Sequence, residues 1–334
     1  MPRLTEPLRF TRHFVEKPVW GGRALEGALG IDLPPEAAIG ETWEVVDREG
    51  ENSVVAAGPH AGRTLGELVR EHGDDLLGRS PATPHGRFPL LVKFLDASSN
   101  LSVQVHPDDA GAERQGSGSE PKTEAWYFVQ AREGAGVWCG LREGTERAAL
   151  ERDLGRRAVV DHLSWWDARA GEALMVPGGA IHAIGAGVVL LEVQQNSDTT
   201  WRIYDWDRVD RSTGEPRPVH LEEAAEVVRH DLPARAPVPS VFLPQGEDLR
   251  AAPLARCRHF GMTRLEVQGA SELSTGGQFQ ILVVVGGSGA LASGGGETHE
   301  VRPGSSYLIP AAAENVRFEP GSDGLDVIQL VGAG

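Results

Sequence analysis

A β-dominated fold of short strands is predicted by three features of the chain. Glycine and proline supply 42 and 22 of the 334 residues, and punctuation this frequent favours turns over long helices. Runs such as Ile39–Val46, Arg87–Leu95 and Val188–Gln194 are apolar or alternating over strand lengths. The third feature is Leu101-Ser-Val-Gln-Val-His106, where a period of two puts Leu101, Val103 and Val105 on one face and Ser102, Gln104 and His106 on the other. A polar row facing a core needs partners, since an unpaired buried polar group costs about 1–3 kcal/mol. A metal ion would supply one, and the stretch reads as part of a small β-barrel with a metal in its mouth.

The ligand set follows from that row. His106, Glu124 and His182 are a nitrogen/oxygen combination typical of catalytic zinc, three protein ligands with one position open, and Gln104 can add a carbonyl oxygen from the face of His106. The spacing His-x17-Glu-x57-His is no helical motif, because ligands so far apart must be gathered from separate strands.

Composition narrows the function. A net charge of −16 argues against nucleic acid or an anionic membrane as partner, and an anionic ligand would need a local basic pocket. Two cysteines, Cys139 and Cys257, in unrelated contexts suggest neither a disulfide framework nor a cysteine zinc site. The opening residues Met1 to Pro7 carry no apolar leader-like run, and no segment approaches the ~20 apolar residues of a membrane span. A soluble cytoplasmic protein is expected, of unspecified oligomeric state. Of the 32 basic residues only Lys17, Lys93 and Lys122 are lysine. Arginine serves equally well on a solvated surface, so Lys93 and Lys122, close to the ligand stretch, point to a use for a compact ammonium.

Taken in order, Ile39–Val46 is a strand with Trp43 as a packing residue, and Trp20, between a turn and Gly21, suits core or rim packing and equally the wall of a sugar pocket. Thr64 caps a short amphipathic helix with Leu65, Leu68 and Val69 on one face. Arg87–Leu95 is a buried strand whose one internal charge is Lys93, and a lysine is almost never buried without a partner; it is expected to face a polar cavity. Asp108 to Pro121 reads as a polar loop, with Asp108 and Asp109 capping a turn. After the strand Glu124–Val129, a helical insertion over 142–170 contains a second capped helix, Thr145 to Leu154, and is expected to wall or cover the site. His162 is assigned to packing.

Gly171 to His182 is a strand, a tight Pro-Gly-Gly turn and a second strand bearing His182. Val188–Gln194 follows with Glu192 as its lone acid. Arg202, between Trp201 and Ile203, calls for a carboxylate, phosphate or oxyanion. A helix from His220 to Arg229 leads to a proline-rich linker, Pro233 to Pro244, which divides residues 1–235 from a second domain, 236–334. There Gly304 to Asn315 can be laid on Gly171 to His182, with Pro310 on Pro177 and Asn315 on His182, as a barrel repeated without its metal.

These motifs resemble the mannose-6-phosphate isomerase (phosphomannose isomerase) family in its shorter bacterial form. The resemblance is carried by Val19-Trp-Gly-Gly22, Gly40-Glu-Thr-Trp-Glu44, Phe88-Pro-Leu-Leu-Val-Lys93, Gln104-Val-His-Pro-Asp-Asp109, Lys122-Thr-Glu124, Pro177 to His182 and Glu192 to Arg202. It implies cupin (jelly-roll) barrels, the first catalytic and the second metal-free. It further implies one zinc ion per chain on His106, Glu124 and His182, with Gln104 added in longer relatives. Arg202 would then be catalytic, and Lys93, Ser102, Lys122 and Glu192 would line a sugar-phosphate pocket. Some longer relatives carry a histidine just before Lys-x-Glu; here Pro121 stands there, so no proton-transfer role is carried over to it.

The implied reaction interconverts mannose 6-phosphate and fructose 6-phosphate by moving a proton between C1 and C2 of the open-chain sugar, through an enediol stabilised by zinc and Arg202. Glu192 and Lys122 both stand as candidate bases. Rival readings are an iron dioxygenase on the same barrel, to which Lys93, Lys122 and Arg202 are ill suited, a cupin acting on another sugar phosphate, and a sugar-binding protein without turnover.

Overall fold

The computed structural model describes residues 3–116, 118–209, 214–293 and 296–333. The chain begins with β1 (His13–Glu16), β2 (Ile39–Val45), a hairpin of β3 (Asp47–Arg48) and β4 (Glu51–Asn52), and β5 (Leu90–Ala97). Then come β6 (Val103–Val105), β7 (Glu124–Ala131), β8 (Gly136–Leu141), β9 (Leu163–Asp167), β10 (Ala173–Val176), β11 (His182–Ile184), β12 (Val188–Gln195) and β13 (Trp201–Tyr204). Helices α1 (Ala24–Leu29), α2 (Leu65–Leu77), α3 (Asp109–Gln115), α4 (Arg147–Asp153) and α5 (Leu221–Val227) lie on the connections. The remaining strands are β14 (Leu243–Pro244), β15 (Leu249–Arg256), β16 (Phe260–Val267), β17 (Ser271–Ser274), β18 (Gln280–Ser293), β19 (His299–Val301), β20 (Ser306–Ile309) and β21 (Asn315–Gly332).

Two antiparallel sheets, ordered β1-β2-β5-β12-β7-β10 and β13-β6-β11-β8-β9, make the first barrel, and β14 to β21 form an eight-stranded sheet of their own. Every residue of β5 is buried, and all of β12 except Gln195. Strands covered on both faces read as near-continuous apolar runs, which is why these two stood out as sequence. Two of the charges within them, Lys93 and Glu192, are direct cross-strand partners, so the two are placed to meet.

The eight-stranded sheet shares a core with the first barrel. Leu254, Phe260, Phe279, Ile281 and Leu308 belong to one apolar cluster with Leu65, Phe88, Leu90, Val92 and Phe94, and the rings of Phe88 and Phe279 stand 4.6 Å apart. The internal repeat is also visible. Gly171 and Gly304 both take positive φ, 89° and 82°, before strands β10 and β20, and β11 and β21 follow after Pro177 and Pro310. Asn315, the counterpart of His182, is exposed and pairs with Ser274. Among the described residues His106, Glu124 and His182 are the one group of histidine, cysteine and carboxylate side chains placed to hold a metal.

Four expectations are corrected. The helix from Thr64 has the expected cap, completed by Glu67 as a capping box, but it runs on to Leu77 across a kink at His72. The loop after Asp108 contains helix α3, because the Asp108 side chain accepts a bond from Gly111 N at 2.7 Å and so caps it. Thr145 caps nothing: α4 begins at Arg147, behind Glu146, whose side chain makes no cap bond. Finally, the insertion does not cover the site. Leu150, Val159, Val160 and Leu163 pack on Val103, Val105, Ile181 and Ile203, which is the face of the five-stranded sheet opposite Ser102, Gln104 and His106. The amphipathic pattern says that this segment packs, not on which face of the sheet it does so. The proline-rich segment, for its part, lies along β10, where Val238 exchanges two backbone bonds with Ala173, at 3.0 and 2.7 Å, and shields that edge.

Candidate active site

Strand register sets two rows of side chains facing each other. Across the six-stranded sheet Trp43 pairs with Lys93, Lys93 with Glu192 and Glu192 with Trp126. Across the five-stranded sheet Arg202 pairs with Gln104, Gln104 with His182 and His182 with Cys139. His106 follows β6 and Glu124 opens β7. The ligand atoms of His106, Glu124 and His182 lie within 4.8 Å of one another and all three residues are buried.

Each imidazole is oriented by a carbonyl. His106 Nδ1 lies 2.8 Å from Thr199 O and His182 Nδ1 2.9 Å from Ala180 O. A carbonyl only accepts, so Nδ1 carries the proton in both rings and each Nε2 keeps its lone pair, the tautomer a ligand needs. Burial, with Lys122 and His182 nearby, holds His106 well below its ordinary range, and burial pulls His182 down to about 4. Both rings are neutral at pH 7. Burial and the neighbouring Glu192 push the Glu124 carboxyl up to about 7. Glu124 Oε1 and His182 Nε2 are buried with no hydrogen-bond partner, an unfavourable arrangement that a cation would relieve. Neutral nitrogens, a buried carboxylate and orphaned atoms together fit a divalent metal ion.

Lys122 stands beside the group, its Nζ 2.7 Å from Glu124 Oε2, 3.1 Å from His106 Nε2 and 4.0 Å from Glu192 Oε1. Glu192 accepts from Trp126 Nε1 at 3.1 Å and meets Lys93 at 3.2 Å. Burial opposes charge on Glu192, but Lys93 and Lys122 outweigh it and keep its carboxyl below the usual range. Lys93 likewise loses by burial and gains more from Glu41 and Glu192, so its pKa is raised. A cavity of about 340 Å³ opens beside these groups, and its walls include Trp20, Lys93, Ser102, Gln104, Lys122, Glu192 and Arg202. All the pocket and ligand positions expected from sequence are therefore brought to one place.

Arg202 donates from Nη1 to Pro218 O at 2.7 Å, while its Nε is buried without a partner. Among the described residues no carboxylate is within ion-pair distance of it. Several wall residues were missed as sequence, among them Glu41, Lys17 and Arg217. Glu41 accepts from Trp43 Nε1 at 2.7 Å and lies 3.3 Å from Lys17 Nζ, and Arg217 is held by both oxygens of Asp205 at 2.7 and 2.6 Å. The alternation of β2 would have found Glu41, and the scarcity of lysine marked Lys17 as it marked the other two.

The barrels and their buried His–Glu–His group define a cupin protein with a candidate metal centre. Residues 9–127 match the catalytic domain of type I phosphomannose isomerase and residues 253–321 the cupin domain of mannose-6-phosphate isomerase. The mannose-6-phosphate isomerase ManA of Bacillus subtilis is 35% identical over 315 residues, 94% of this chain and 96% of that one. The Streptococcus mutans mannose-6-phosphate isomerase is 35% identical over 317 residues, 95% of this chain and 96% of its own. The crystal structure of the B. subtilis mannose 6-phosphate isomerase superposes with a TM-score of 0.85 at 30% identity, covering 97% of this chain and 99% of the other. The chain belongs to the mannose-6-phosphate isomerase family.

Proposed function

We propose that this protein interconverts mannose 6-phosphate and fructose 6-phosphate with one zinc ion held by His106, Glu124 and His182, joined by Gln104, the cross-strand partner of His182. The observation that carries the reading is the junction of a buried, orphaned ligand group with a Lys122–Glu192 pair at the wall of one cavity. When bound, the metal supplies Lewis-acid polarisation of the sugar oxygens. Glu192, kept ionised by Lys93 and Lys122, takes the proton from C2 of the open-chain sugar and returns it to C1. Lys122, donating towards the same space, supplies a proton-rich neighbour for the oxygens on which charge builds. Arg202 offers the Nε–H that lacks a partner to that developing oxyanion, usually the largest catalytic contribution. Lys93 and Ser102 hold the phosphate end and Trp20 walls the sugar. Residues 1–235 act as the catalytic domain and 236–334 as the metal-free one, in the cytoplasm, with no nucleic acid or membrane as partner.

Metal analysis combined with a coupled assay tests this. Activity on mannose 6-phosphate should vanish on chelation and return with zinc; a metal-replete protein without turnover would instead favour a cupin for another sugar phosphate or a binding protein. Product formed in deuterated water should carry some deuterium at the transferred position, because a proton held on Glu192 can exchange with solvent before it is returned, and Glu192→Gln with turnover near the parent value would exclude Glu192 as base.

A further inference from the structure

All three lysines of the chain line the same cavity, and the function above uses two of them. Lys17 is the third. Its Nζ lies 3.3 Å from Glu41 Oε1, while Lys93 stands 3.6 Å from Glu41 Oε2 and 3.2 Å from Glu192 Oε1. With Lys122 and Glu124 these groups form a row of alternating sign: Glu124, Lys122, Glu192, Lys93, Glu41, Lys17. Exposure rises along it, the lysine side chains being 7%, 8% and 34% exposed from Lys122 to Lys17. The row starts at the ligand group and ends at the mouth.

The position of Lys17 is built in. A Cβ at Gly40 would meet Lys17 Cγ at 2.5 Å and Cβ at 2.6 Å, so only bare backbone there lets the lysine stem lie across β2 and turn its ammonium to Glu41. The row holds as many lysines as carboxylates, and without Lys17 the Glu41 carboxylate would be left with Lys93 alone, which also serves Glu192. Of the three lysines Lys17 is the most open to an anion in the cavity, on a flexible stem that can exchange part of its contact with Glu41 for a phosphate oxygen.

We propose that Lys17 is a phosphate-contacting residue that works with Lys93 to set the affinity of the pocket for phosphorylated over free hexoses. The proposal rests on the sugar-phosphate reading above. Its test uses the full-length, metal-loaded protein as Lys17→Met and Lys17→Arg. Losing one charge-assisted contact should raise KM for mannose 6-phosphate, and the calorimetric Kd for inorganic phosphate, by about tenfold or more in Lys17→Met. Turnover number should stay near the parent value, and Lys17→Arg should recover most of the affinity. Unchanged KM and phosphate Kd in Lys17→Met would overturn the proposal, as would a fall in kcat at constant KM, which would place Lys17 behind Lys93 and Glu192 in the chemistry. If the parent protein binds phosphate yet does not turn over mannose 6-phosphate, the phosphate titration alone still decides the role of Lys17.

Discussion

Arg202 shows what a single residue gives up for function. Its pKa is drawn down by burial and by Arg217, but a guanidinium stays charged at any working pH, and here it makes one bond to a carbonyl while Nε goes without. Groups kept without partners at a pocket wall stabilise what binds there rather than the fold. Arg202→Met should therefore lower kcat/KM by about a hundredfold or more, the scale of losing one oxyanion donor, while the unfolding free energy in urea stays within about 1 kcal/mol of the parent. A large loss of stability with activity retained would make Arg202 a structural residue instead.

At the scale of elements, β2 ties pocket and fold together. Burial pushes Glu41 up, yet Lys93, Lys17 and the Trp43 indole outweigh it and hold the carboxyl at about 2, against an ordinary 4.5. The folded pKa is depressed, so its contribution is complete above pH 4.5 and is lost as pH falls from 4.5 towards 2, amounting to about 3 kcal/mol at most. The stability difference between the parent and Glu41→Gln should be constant above about pH 5 and close as acid protonates Glu41; a gap independent of pH would show that the row does not hold its charge. Strands of this kind were legible in the sequence because burial on both faces leaves continuous apolar runs in which Lys93 and Glu192 stand out, and the period of two alone put Ser102, Gln104 and His106 on one face. Helix α3 was hidden by its polar, glycine-bearing composition, where one capping aspartate does what no hydrophobic stripe announces. The side of the sheet taken by the 142–170 insertion depends on its apolar partners in β6, β11 and β13, which no local pattern names. Glu41 stood in the alternation of β2 and Lys17 among only three lysines, but that their side chains meet at the pocket wall follows from the pairing of β1, β2 and β5.

For the whole molecule, the other face of β2 matters as much. Glu44 is buried and accepts from Arg12 at 2.7 and 3.0 Å, from Thr42 at 2.8 Å and from Ser306 on β20 at 2.7 Å. The strand that carries Glu41 and Trp43 into the pocket is thus fastened on its back to the C-terminal sheet, and the shared cluster around Phe88 and Phe279 extends that joint. The C-terminal repeat of the barrel serves this protein as the second wall of the core beneath the site. All eight tryptophans lie before residue 236, so their fluorescence reports the first barrel alone, while far-ultraviolet circular dichroism reports both sheets. Phe279→Ala removes a fully buried ring from the far side of the joint and should cost about 3–5 kcal/mol. If one core serves both halves, the tryptophan transition falls together with the dichroism transition, although no tryptophan stands in the half that was altered. A tryptophan midpoint left in place while the dichroism splits into two steps would mean that the barrels fold independently, and that the C-terminal sheet leans on the first barrel without supporting it.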